Sequence, residues 1–247
     1  MVLSVESVLL VTFVFMFGGF VKGTIGLGLP VVALAFLAAP LGLETAMAIM
    51  LAPITLTNLW QAVVGPHLIT LIKRLWTFLV AAMVGIWIGV SVLAERSELL
   101  LGLLGIILCI YSLTYFSGFR MPPPGKREWA YSPLAGGLGG LMFGMTGNLL
   151  VPGILYVQAL GMKRDMLVQA LGLIFFTVSS TLSISFLFHN LLSMETNLLS
   201  LYAVIPSVVG LILGQRYRHK ISEEKFTRLF FIGLLITALY MIWRAFF

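Results

Sequence analysis

Apolar runs of membrane-spanning length follow one another along this chain from end to end, and they decide the solvent in which it folds. Of 247 residues, 10% are charged and 60% hydrophobic, with a mean hydropathy of +1.08, whereas a soluble domain carries about 25% charged residues. A bilayer offers no water to backbone N–H and C=O groups, so apolar runs of about 20 residues must close their hydrogen bonds internally, as helices. Six plain spans are expected, at about 45–65, 75–94, 99–118, 165–188, 197–215 and 226–246. The fold class is therefore all-α and integral to the membrane, with no stretch polar enough for a separate soluble domain. The lone cysteine, Cys109, excludes a disulfide framework, and no metal or cofactor site is expected. The first 22 residues start acidic at Glu6 and lack a small-residue cleavage site before Lys22, so they do not make a good signal peptide.

Two further segments, 4–40 and 132–160, are apolar but interrupted. The first contains "GGFVKGTIGLGLP" (Gly18–Pro30), where glycines, a proline and Lys22 make poor material for a straight helix. The second contains "FGMTGNLLVP" (Phe143–Pro152), which aligns with "KGTIGLGLP" so that Gly23 and Gly26 fall on Gly144 and Gly147. "PLGLETAM" (Pro40–Met47) aligns with "ALGMKRDM" (Ala159–Met166), and "GIWIG" (Gly85–Gly89) with "GLILG" (Gly210–Gly214). Three matches in the same order point to an internal repeat. The halves are 1–118 and 132–247, joined by a Pro-rich basic linker over 119–131. Each half reads as one glycine-broken segment followed by three transmembrane helices.

Charge orients the halves. If each broken segment crossed once, the strongly basic loop 216–228 would lie outside while loops 66–74 and 119–131 lie inside. If each is a hairpin that enters and leaves on one side, loops 66–74, 119–131, 161–165 and 216–228 all lie inside, and 41–45, 95–98 and 189–196 outside. The inside set then holds Lys73, Arg74, Arg120, Lys126, Arg127, Lys163, Arg164, Arg216, Arg218, Lys220, Lys225 and Arg228, twelve of the 15 cations, as the positive-inside rule requires. The hairpin arrangement makes the halves inverted repeats and places both termini in the periplasm.

Hairpin tips at membrane depth must be buried in protein or line a watery cavity, and the free N–H groups of a helix start attract anions. At the first tip Lys22, Gly23, Thr24, Gly26 and Gly28 are candidates for substrate binding, with Pro30 suited to the first turn of the returning arm. At the second tip the candidates are Gly144, Thr146, Gly147 and Asn148. The next span puts Thr55, Asn58 and Gln61 on one helix face, beside Pro53, and its counterpart carries Thr177, Ser180 and Thr181. The bland readings stand beside these: Gly136, Gly140 and Gly144, spaced by four, suit helix packing. Hydroxyls can bond their own helix carbonyls, and Lys22 could snorkel to an interface. Two tips meeting near the membrane centre would form a site for a small anion. All nine acids, and His67, His189 and His219, fall in loops or at span ends, so no proton relay through the bilayer is expected.

With these residues in view, the chain resembles, over nearly its whole length, the TauE/SafE family, the sulfite exporter or toluene-sulfonate-uptake permeases. The resemblance rests on "GGFVKGTIGLGLP", on "AIMLAPITLTNLWQ" (Ala48–Gln61) and on "GGLGGLMFGMTGNLLVPGILYVQALGM" (Gly136–Met162). It implies a bacterial inner-membrane permease that moves sulfite, organosulfonates or related small anions. The expected function is secondary transport, as an exporter of sulfite or an organosulfonate. The alternatives are an anion channel and an uptake permease for another small organic anion. An intramembrane enzyme is disfavoured by the lack of membrane acids, of HExxH and of a nucleophile–base pair. The expected partners are the small anion, the bilayer and, in a homo-oligomer, further copies of the chain. Nucleic acid is not among them, because the net charge of +6 is accounted for by topology.

Overall fold

The computed structural model describes residues 4–26, 28–218, 220 and 222–246. Leu27 of the first tip and His219 lie outside the described residues. The described chain is all-helical, and seven of its helical segments are long and apolar enough to cross a bilayer. α1 (Val5–Ile25) and α2 (Leu29–Leu41) are followed by α3 (Leu43–Val63) and α4 (Leu68–Phe116). α5 (Glu128–Thr146) leads through an irregular turn at Leu150–Ile154 to the short α6 (Leu155–Ala159). α7 (Arg164–Phe188), α8 (Met194–Tyr217) and α9 (Glu223–Phe246) complete the chain.

Both interrupted segments are broken, and at the glycines that the repeat aligns. α1 stops at Gly26, which turns into the left-handed region (φ 91°) and sends its N–H back to the Lys22 carbonyl at 2.8 Å. α5 stops in the same way at Gly147 (φ 70°), whose N–H reaches the Phe143 carbonyl at 2.7 Å. A β-carbon disfavours this conformation by roughly 1–2 kcal/mol, which is why glycine stands at both. α2 then begins after Gly28 with Pro30 in its first turn, where a missing N–H costs no helical bond. At 13 residues α2 is about 20 Å long, shorter than a hydrocarbon core of about 30 Å. The second return arm is shorter still and bent, with Val151 in an extended conformation (φ −120°, ψ 124°).

One expectation fails. Residues 95–98 have helical backbone rather than forming a loop, so α4 covers 49 residues and includes both spans, Leu68–Glu95 and Leu99–Phe116. A straight helix of that length would extend about 74 Å, so the two spans cannot be collinear within one bilayer. Glu95, Arg96 and Glu98 suggest a loop by charge, but no glycine or proline lies among residues 95–98 to interrupt the ladder. The loop expected at 66–74 is likewise shorter, since Leu68 already starts α4 and carries Lys73 and Arg74 onto the helix.

Small residues then set which helices meet. α1 lies along α8, where a β-carbon on Gly23 would come 3.0 Å from the Gly214 Cα. The first span of α4 lies along α5, where a β-carbon on Gly144 would come 3.0 Å from the Gly89 Cα. The pairs Gly85/Gly89 and Gly210/Gly214, matched in the sequence, thus occupy matching crossings. Gly136, Gly140 and Gly144 pack on the backbone of Phe78, Ala82 and Ile86, the close approach that small residues permit between membrane helices. α3 and α7 pack against each other and are the most buried spans, while α9 is the least buried.

Candidate functional site

Lys22 is fully inside the protein, one turn before the first break. Its Nζ donates to Asn58 Oδ1 at 2.8 Å and to Thr57 Oγ1 at 3.1 Å, both on α3. Those acceptors are themselves held. Asn58 Nδ2 donates to the Ile54 carbonyl at 2.8 Å, which aims the amide oxygen at Lys22, and Thr57 Oγ1 donates to the Pro53 carbonyl at 2.6 Å. Pro53 lies inside α3, where a missing N–H opens the ladder. Beside it the Ala52 N–H turns outward to Ser200 Oγ at 3.0 Å. Among the described residues, every hydrogen-bond partner of Lys22 is neutral.

The lysine forms part of the wall of an open cavity of about 420 Å³, with Gly26, Thr57, Gln61, Gln169 and Arg218 among its other lining residues. Residues 64–67, Arg164 and one carboxylate, Asp165, also border it, so the cavity opens on the side where the basic loops lie. Two amides fasten its rim. Gln61 Nε2 donates to the Val168 carbonyl at 2.7 Å. Gln169 Nε2 donates to the carbonyls of Ala62 and Gly65 at 2.9 and 3.1 Å, while its Oε1 accepts the His67 N–H at 3.0 Å. A second cavity of about 510 Å³ lies on the other flank of the break, lined by Gly26, Gly28, Tyr111, Tyr115, Arg120 and Leu150 among others.

The remaining sequence candidates scatter. Gly23 and Gly144 are helix crossings. Thr24 Oγ1 donates to the Val21 carbonyl, Thr146 Oγ1 to Met142 and Thr177 Oγ1 to Leu173, each within its own helix. Thr181 does the same toward Thr177. Ser180 is half-buried on α7, and its neighbour Ser179 receives the Thr55 hydroxyl at 2.9 Å. At the second break a β-carbon on Gly147 would strike Met50, Leu34 and Met47, so α2 and α3 pack this break shut. Asn148 is buried there, its Oδ1 accepting the Leu150 N–H at 2.9 Å and its Nδ2 lacking any partner. No hydrogen bond joins the Asn148 and Lys22 sets among the described residues. They address different levels of α3, residues 47–50 and 57–58, which is about 12 Å of helical rise.

Thr57 and Gln169 escape the sequence reading. Thr57 is off the three-residue spacing that selects Thr55, Asn58 and Gln61, although its place four residues after Pro53 is a signal for back-bonding to a carbonyl. Gln169 is a lone amide at the start of a span, and its three bonds are legible only in the folded packing.

A family model described as Sulfite exporter TauE/SafE matches residues 11–241, nearly the entire chain. No curated protein and no solved structure matches it.

Proposed function

The chain belongs to the TauE/SafE sulfite exporter family, a family of membrane transporters, and from that premise we propose that it is a secondary transporter exporting sulfite or an organosulfonate across the bacterial inner membrane. The observation that carries the reading is Lys22: a buried cation with only neutral partners, exposed at one point to an open cavity. Holding a charge within a membrane costs roughly 3 kcal/mol even on lenient scales. The missing counter-charge is supplied by the transported anion, which enters from the basic side and meets Lys22 in the cavity beside the first break. At about 4 Å and an effective dielectric near 20, opposite unit charges attract by about 4 kcal/mol.

The packing at the second break favours a carrier over a channel. Met47, Met50 and Leu34 lie against Gly147, whereas Lys22 at the first break borders an open cavity. An anion leaving a cell that is negative inside gains about 2.3 kcal/mol per charge per 100 mV, so export needs no buried acid–base relay. In this reading the halves 1–118 and 132–247 are inverted repeats, the linker 119–131 is cytoplasmic and both termini are periplasmic. Flux into and out of proteoliposomes, measured for sulfite, alkyl- and arylsulfonates and carboxylates, tests it. Saturable flux of a sulfur oxyanion is expected, whereas non-saturating flux of all anions alike would make the protein a channel.

A further inference from the structure

A groove of about 580 Å³ runs along the outer face of α5, away from the Lys22 cavity. Its walls are the loop at Pro122–Pro124 on one side and Tyr131, Leu134 and Leu138 of α5 on the other, with Pro152 and Tyr156 contributing to the lining and Arg127 at one end. Tyr131, Leu134 and Leu138 are 45%, 60% and 52% exposed. They follow one another along one helix face over about 10 Å of rise. At the start of the same helix Trp129 is 78% exposed, and Trp and Tyr together mark the headgroup level of a bilayer. The groove therefore begins among headgroups and descends into the acyl region.

Its charge is as ordered as its depth. Arg127 is followed at once by Glu128, the obvious counter-ion, but both Glu128 oxygens are taken by Arg74, at 2.7 and 2.9 Å. Among the described residues no carboxylate pairs with Arg127, which is exposed at the mouth, and Lys126 stands next to it, also exposed. A basic mouth above an apolar trough matches one amphiphile better than any soluble ion. We propose that this groove binds an anionic phospholipid, with the phosphate at Arg127 and an acyl chain lying along Tyr131, Leu134 and Leu138. Free phosphate lacks the chain that the trough would bury, and a zwitterionic lipid brings no net negative charge to the two cations at the mouth. Since Pro152 and Tyr156 line the groove, the bound lipid braces the short arm that follows the second break.

Full-length protein in neutral detergent is melted while phosphatidylglycerol is added, in parallel with phosphatidylcholine of the same chains and with inorganic phosphate. Phosphatidylglycerol is expected to raise the melting temperature saturably, and the other two to leave it unchanged. Arg127→Gln, at an exposed position that the fold does not use, is expected to raise the phosphatidylglycerol midpoint about five- to tenfold, the share of one basic contact with an anionic headgroup. Leu138→Trp, which fills the trough without altering charge, is expected to do the same. Equal shifts with phosphatidylcholine, or an unchanged midpoint in Arg127→Gln, overturn the proposal. So does efficient oxidative cross-linking of Leu138→Cys between copies in native membranes, in a Cys109→Ala background, because a second protein chain would then cover this face. All of these outcomes are independent of which anion is transported.

Discussion

The two breaks share a backbone and differ in almost everything attached to it. Each ends a long helix at a left-handed glycine whose N–H returns to a carbonyl four residues back, at Gly26 and at Gly147. Each follows a helix crossing built on paired glycines. Yet the residue that supplies that carbonyl is Lys22 in the first and Phe143 in the second. Lys22 reaches across to α3 and borders a cavity, whereas Phe143 is buried in the apolar core. The comparison teaches that the duplicated glycines specify the scaffold, and that one unduplicated side chain makes one of the two breaks a site.

The largest effects are expected where the halves are alike. Gly23→Val and Gly144→Val each drive a β-carbon into the backbone of a partner helix, an overlap that no rotamer change relieves. Both are predicted to cost more than about 3 kcal/mol, seen as loss of monodisperse protein in gel filtration. Gly233→Ala, where a β-carbon meets nothing within 4 Å, serves as the neutral control. Unequal damage at the two crossings would break the claim that the scaffold is duplicated.

Next come the positions that separate the breaks. Phe143→Lys puts an unpaired cation into a packed core and is predicted to destabilise by several kcal/mol, although lysine is native at the aligned position. Gly147→Ala is predicted to lower the melting temperature more than Gly26→Ala. Both incur the left-handed penalty of about 1–2 kcal/mol, but only at Gly147 does the new β-carbon also meet Met50, Leu34 and Met47. Equal melting temperatures would mean that the second break is as open as the first.

Asn58→Leu removes one of the two acceptors of Lys22 while keeping the volume of the side chain. It is predicted to reduce transport about tenfold through a misplaced ammonium, close to the 1.5 kcal/mol of a hydrogen bond to a charged group. The smallest perturbation tests orientation. With Cys109 replaced, cysteines introduced at Ser4 and at Lys126 are expected to label from opposite sides of intact cells. Labelling of both from outside would remove the inverted arrangement.

Much of this was legible because membrane sequences write their scaffold locally. The glycine spacings at 85/89, 210/214 and 136/140/144 are crossings in the structure, and Gly26 and Gly147 end their helices where the repeat alignment marks a break. Asn58 stands out as an amide in mid-span and does find a partner. What stayed hidden depends on pairing between distant segments. That Lys22 meets Asn58, 36 residues on, and that Gln169 bridges to Ala62 and Gly65 follows from how α1, α3 and α7 pack, which no local pattern states. The hydroxyls of Thr24, Thr146 and Thr177 looked like ligands by composition, yet each turns to its own helix carbonyl, the nearest acceptor available without water. The meeting of both tips in one site was read from symmetry; Gly26, Gly28 and Leu150 do share the wall of the second cavity, while Lys22 bonds to Thr57 and Asn58 and Gly147 packs on Met47 and Met50.

The central claim is that Lys22 is the counter-charge of the transported anion. Titration of purified Lys22→Met with sulfite and with an alkylsulfonate, by calorimetry in detergent, addresses it most directly. Methionine matches the aliphatic length and leaves Thr57 and Asn58 bonded to the Pro53 and Ile54 carbonyls, so the fold is expected to persist with an unchanged or higher melting temperature. The attraction of about 4 kcal/mol, reduced by the desolvation of the ammonium, predicts a loss of tens- to hundreds-fold in affinity. Lys22→Arg is expected to lose less, because it retains the charge in a bulkier fork. Affinity in Lys22→Met equal to that of the native protein would contradict the account, placing the anion elsewhere and leaving Lys22 as a structural tie between α1 and α3.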